Sequence, residues 1–189
     1  HKRTATLDRV APLSPEDAAA QPMTGCSPAK SHLAHTTWFF QTFLLEPRDI
    51  VARTAPPGAR ELFNSYYNRV GAAFPRNRRG LLTRPTLDEV VAYRKAVDDA
   101  VLGFLAADAD DESLGIVELG IHHEQQHQEL LLSDVKHLFS CNPLAPVYLD
   151  EPEATRPEPR SRGWVPFEGG ARSLGHDGDG FAYDNESPR

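Results

Sequence analysis

Cysteine, methionine and long apolar runs are scarce in this sequence. Its two cysteines, Cys26 and Cys141, are too few for a disulfide framework and form no Cys-x-x-Cys pair, which reads as a reducing, cytoplasmic setting. No apolar run approaches the roughly 18 residues that a membrane span needs, so no membrane partner is expected. Residues 1–25 show no succession of charge, apolar block and cleavage site, and hence no signal-peptide pattern. Positive charge is short as well. Lys and Arg number 20 against 27 Asp and Glu, a net charge of -7, and that balance excludes general nucleic-acid binding, which needs cations to neutralise phosphates. The local exception is Arg76-Asn77-Arg78-Arg79. It is too small for a duplex footprint and sized for one carboxylate or phosphate. The chain begins at His1 rather than Met, which points to a processed or trimmed polypeptide.

The 189 residues suffice for one good core with a little left over. Ser14-Pro15-Glu16-Asp17 is a helix start, with Pro near the first helical position and acids in the first turn. Residues 29–45 carry Leu33, Trp38, Phe40 and Leu44 on a broad stripe and predict a buried helix. Residues 59–70, with Leu62, Phe63, Tyr66 and Tyr67, predict a short helix, and residues 71–85 a loop punctuated by Gly and Pro. Thr86 with Glu89 matches a capping box ahead of a helix over about 87–106. Residues 114–140 run without Pro until Asn142-Pro143 stops them. This is mainly α: an up-down helical bundle over 1–143. Residues 144–163, rich in Pro and charge, predict a linker. Residues 164–189 mix glycine, aromatic and acidic residues and predict short strands and turns.

His123 and His127 lie four apart in Gly120-Ile121-His122-His123-Glu124-Gln125-Gln126-His127-Gln128-Glu129-Leu130. On a helix that spacing sets both imidazoles on one face, about 5–6 Å apart at Cβ. The expected stripe continues through Ile116 and Leu119 above and Leu130 and Leu131 below, so two polar rings stand where core residues belong. A ligand on their nitrogens would remove the about 1–3 kcal/mol that an unpaired buried polar group costs. His123-Glu124-x-x-His127 is also the bare zinc-protease pattern, with Glu124 as general base. The metzincin extension requires Gly and His where Leu130 and Ser133 stand, and no carboxylate ligand on a later helix is evident. Upstream, His35 sits among Leu33, Ala34, Trp38 and Phe39 and is best explained as a third ligand from a facing helix. His32 reads as a supporting or surface group. His122 points about 100° away from His123, and His1, His137 and His176 read as solvated. Three histidines leave coordination positions open, as catalytic metals require. Zinc and ferrous iron both accept imidazole.

With these residues in place, the chain resembles the iron-dependent sulfoxide synthases of ergothioneine biosynthesis, the hercynine oxygenases. Four stretches carry the resemblance: residues 27–40, SPAKSHLAHTTWFF; Leu62-Phe63-Asn64-Ser65-Tyr66-Tyr67 with residues 79–86, RGLLTRPT; residues 122–130, HHEQQHQEL; and Val165-Pro166-Phe167-Glu168-Gly169-Gly170 through Leu174-Gly175 to residues 181–186, FAYDNE. They stand in the family's order. One departure is Ser31, where the family typically has Trp.

The resemblance implies a DinB-like helical bundle followed by the start of an α+β domain like that of formylglycine-generating enzymes, at 164–189. It implies Fe(II) held by His35, His123 and His127. The expected reaction couples cysteine or gamma-glutamylcysteine to the imidazole C2 of hercynine with dioxygen, giving a sulfoxide. A bound metal lowers the thiol's pKa and favours the reactive thiolate. Tyr66 and Tyr67 would line the site, and Arg76, Arg79 and Arg84 would clamp a substrate carboxylate. The family's active-site tyrosine lies in the second domain, beyond Arg189, so the chain is expected to be a fragment that turns over poorly alone. The alternatives are a thiol transferase on the same bundle, using zinc or nickel without dioxygen, and a non-catalytic metal-binding module.

Overall fold

A computed structural model describes residues 2–50, 54–150 and 163–186. Six α-helices occur among them: α1 (Lys2–Val10), α2 (Pro15–Ala19), α3 (Ala29–Phe40), α4 (Ala59–Leu62), α5 (Leu87–Asp108) and α6 (Asp111–Cys141). The residues form two units, His1–Leu149 and Asp150–Arg189. In the first, α3 is the central helix and packs against α1, α2, α5 and α6. The core is Leu33, Trp38, Phe40 and Leu44 with Val90, Tyr93, Val97, Leu131 and Val135. No described helix is long and apolar enough to cross a membrane.

The helix starts follow local chemistry. Ser14 and Asp17 form a capping box on α2, and Thr86 and Glu89 form one on α5, each satisfying backbone N–H groups that lack helical partners. The Asp110 side chain accepts from the Ser113 N–H and starts α6 three residues before the expected position. After Phe40 the backbone passes into a π-helical turn, Gln41–Leu45, and a 3-10 turn, Glu46–Arg48. Such π turns interrupt longer helices. Gly120 marks a close approach of α6 to α3: a Cβ there would sit 2.5 Å from Cζ of Phe40. This contact lets the two helices draw near enough for their histidines to meet.

Several expectations need correction. The helix predicted over 59–70 ends at Leu62. The Asn64 side chain donates to the carbonyls of Tyr67 and Gly71 and accepts from the Tyr67 N–H, offering the chain a turn in place of helical hydrogen bonds. Residues 76–81 form a 3-10 turn inside the predicted loop. Lys2–Val10, ahead of the first expected helix start at Ser14, form α1. The stripe on α6 differs too. Leu119 and Leu130 are exposed, and the buried set is Ser113, Gly120, Glu124, Gln128, Leu131 and Val135. His137 and His176 are half-buried, and His1 lies outside the described residues.

Tyr148 falls within the expected linker, and its hydroxyl donates to the Arg9 carbonyl at 2.6 Å. Residues 151–162 of that linker lie outside the described residues. Residues 163–186 contain no strand and a single 3-10 turn, Asp184–Glu186. A strand needs a neighbour for its ladder, and none of the described segments supplies one.

Candidate metal centre

His35 projects from α3, and His123 and His127 from α6. One candidate ligand atom from each lies within 4.8 Å of the others. Ring centroids are 5.0 Å apart for His35 and His123, 4.9 Å for His35 and His127, and 4.6 Å for His123 and His127. His35 is buried, while the two rings on α6 are half-buried.

The three imidazoles are held neutral. Burial pushes His35 down to about 3, with His123 adding to the effect. Burial likewise pushes His123 down to about 4. His127 is lowered furthest, by burial and then by the neighbouring histidines. Neutral rings keep the lone pairs that a metal requires.

Each ring has a different support. His35 donates from Nδ1 to the Phe63 carbonyl at 2.6 Å, which leaves Nε2 with its lone pair. His127 Nδ1 lies 2.8 Å from Nδ1 of His32. The buried Nδ1 of His123 has no hydrogen-bond partner among the described residues. That orphaned nitrogen fits a ligand role, because a cation supplies the polar partner that the protein does not. The triad could therefore hold a metal ion.

Residues 1–131 match the DinB superfamily. The chain belongs to that superfamily. DinB domains bind metal, in keeping with three convergent imidazoles on two packed helices. No curated protein matches the chain.

Glu124 of this DinB domain turns away from the triad. Its carboxylate accepts from Arg94 at 2.5 Å, from Arg3 at 2.9 Å and from the Thr6 hydroxyl. Burial opposes its charge, but Arg94, Arg3 and Thr6 outweigh that and hold it below the usual carboxylate range. A buried carboxylate held by two arginines and turned from the triad is not placed to serve as a protease base, although its sequence position satisfied that pattern.

The remaining candidates separate by position. Tyr67 is half-buried, its ring 6.3 Å from that of His35 and 5.0 Å from that of Phe43. Tyr66 is exposed, and its hydroxyl accepts from Arg76. Arg76 is itself exposed and also donates to the Gly25 carbonyl. Arg84 is exposed and lines a groove of about 580 Å³ with Pro56, Leu62 and Glu89. No histidine of the triad lines that groove.

Arg79 is buried and donates to Ser27 Oγ at 3.1 Å and Ser65 Oγ at 2.7 Å. Ser65 Oγ in turn lies 3.4 Å from Nδ1 of His35. Arg79 makes no ion pair among the described residues. The loop that carries it is pinned from two sides. Gln21 accepts from the Gly80 N–H and donates to the Arg76 carbonyl, and the buried Lys30 ammonium donates to the carbonyls of Leu82 and Pro85. Sequence reasoning did not single out Arg3, Thr6, Arg94 or Asp134. The only available signal was their charge or hydroxyl, which many surface residues share.

Proposed function

We propose that this DinB domain is the metal-holding part of a non-haem iron oxidoreductase that joins cysteine or gamma-glutamylcysteine to hercynine with dioxygen, giving a sulfoxide. The observation that carries the reading is the triad itself: three neutral imidazoles from two helices, within motifs that resemble those of the hercynine oxygenases. His35, His123 and His127 would hold Fe(II). When bound, the iron would supply the electron transfer to dioxygen and favour the thiolate form of the sulfur substrate.

The chain's own residues perform the rest. Trp38 stacks on His35 at 5.6 Å, and Phe39 lies 5.0 Å from His123. These rings keep water from the back of the triad and hold the imidazoles in place. Tyr67 extends the same apolar wall. Arg79 is a buried guanidinium without an anionic partner among the described residues, a costly arrangement. A substrate carboxylate would offset that cost, and the planar guanidinium suits bidentate recognition. Arg76, three residues earlier and exposed, would receive the same substrate from outside. Arg84 is assigned no part, since it lines a separate groove.

The experiment is dioxygen uptake with mass detection of product, using iron-loaded protein that includes this chain and a complete second domain. Uptake should require cysteine or gamma-glutamylcysteine and hercynine together, and the sulfoxide should form. The 189-residue chain alone should give little product. Thiol transfer supported by zinc without dioxygen uptake would replace this reading with that of a transferase.

A further inference from the structure

His32 precedes His35 by three residues on α3, and Asp134 follows His127 by seven on α6. Each pair shares a helix face, so the packing that gathers the triad also brings His32 and Asp134 together behind it. His32 is buried, with Nδ1 2.8 Å from Nδ1 of His127 and Nε2 3.0 Å from Oδ2 of Asp134. The same Oδ2 accepts from the Ser27 N–H at 2.8 Å. The Cys26 thiol also donates to Asp134, and burial pushes that thiol up to about 11, so it remains a protonated donor. Burial disfavours the charge of Asp134, yet the hydrogen bonds from His32, Ser27 and Cys26 hold its carboxyl below the ordinary range. The outer end of this chain of groups is therefore an acceptor only.

We propose that Asp134 and His32 are positioning residues that fix the tautomer of His127. An accepting carboxylate places the His32 proton on Nε2. With its proton on Nε2, His32 meets His127 through Nδ1 as the acceptor and takes the Nδ1–H of His127. That leaves Nε2 as the His127 nitrogen with a free lone pair. The Phe63 carbonyl acts in the same way on His35. Two of the three rings are thus set before any ion arrives, one by a backbone carbonyl and one by a carboxylate relayed through a histidine. The reverse polarity, with His32 donating to His127, would put the His127 proton on Nε2 and remove it as a ligand. This inference rests on the triad as a metal site and not on which metal or reaction it serves.

The first test needs no metal. Imidazole nitrogen NMR of the metal-free, nitrogen-15-labelled chain should show His35 and His127 protonated at Nδ1 and His32 at Nε2. Asp134→Ala should mix the His127 tautomers, leave the His35 signals in place and weaken Co(II) binding about ten- to a hundredfold, the usual cost of losing a ligand's hydrogen-bond partner. Asp134→Asn, whose amide oxygen still accepts, should recover most of the affinity. It also serves as the deciding variant if Asp134→Ala does not fold. A His127 protonated at Nε2 in the unmodified chain would overturn the proposal. So would Co(II) affinity within about twofold of wild type in both variants. Failure of the unmodified chain to bind Co(II), with the expected tautomers in place, would overturn the metal-site reading alone.

Discussion

On α6, His123 and His127 are spaced i, i+4, and so are Glu124 and Gln128, one position further round the helix. The two polar pairs meet different neighbours. Glu124 and Gln128 face α1 and α5. The carboxylate is saturated by Arg3, Arg94 and Thr6, and the Gln128 amide donates to the Lys2 carbonyl and the Thr6 hydroxyl. His123 and His127 face α3, where His123 keeps an orphaned nitrogen and the rings are neutral. A buried polar pair tied to protein partners holds helices together. A half-buried polar pair that keeps an unpartnered nitrogen is a place for a ligand. Hydrogen-bond accounting separates the two.

Three experiments would break or sharpen that contrast. The largest effect is expected from His127→Ala, which should abolish stoichiometric Co(II) binding in a spectroscopic titration. Retained one-to-one binding would mean that the histidine face is not the site.

Next is Arg94→Ala on the other face. Removing Arg94 takes one of two cations from the buried Glu124 carboxylate, with Arg3 remaining, and should cost about 1–3 kcal/mol in urea unfolding. Glu124→Gln should cost more, about 3–5 kcal/mol, because it leaves the fully buried Arg94 with no anion among the described residues. Both variants should still bind one Co(II). Loss of binding in Glu124→Gln with the fold intact would show that the two faces are not separable.

The smallest effect concerns pH in the metal-free protein. The unfolded chain titrates its histidines near 6.5, whereas the folded values are about 3 for His35 and about 4 for His123. Between those values the unfolded state binds more protons, so stability rises with pH. It should be full above about pH 6.5 and fall as pH drops toward 4 and then 3. Glu124 is depressed in the folded state, so its contribution is lost only as pH falls below the ordinary glutamate range. Urea midpoints across pH 7.5 to 4.5 should therefore fall for the wild type and fall less for His35→Leu. Equal slopes would contradict the buried, neutral state of the ring.

Much of the bundle was legible in the sequence. The capping residues of α2 and α5, the apolar stripe of α3 and the stop at Asn142-Pro143 are local signals, and local signals survive without tertiary context. The early end of α4 at Leu62 escaped because Asn64 draws the chain into a turn that apolar spacing does not reveal. The helix α1 escaped because its polar sequence is justified by partners 95 and 121 residues away: Arg3 pairs with Asp98 and Glu124.

The sequence by itself determined which residues of α6 share a face, since helical geometry needs only spacing. It also named the three histidines, His123 and His127 by their i, i+4 spacing and His35 by its apolar surroundings on another helix. The tertiary structure decided which polar residue serves structure and which serves chemistry. It turned Glu124 to the arginines, separated Arg79 from Arg84, and placed Asp134 behind His32. Those outcomes depend on which groups lie within about 3 Å across a helix interface, a relation between distant segments that no spacing along the chain encodes.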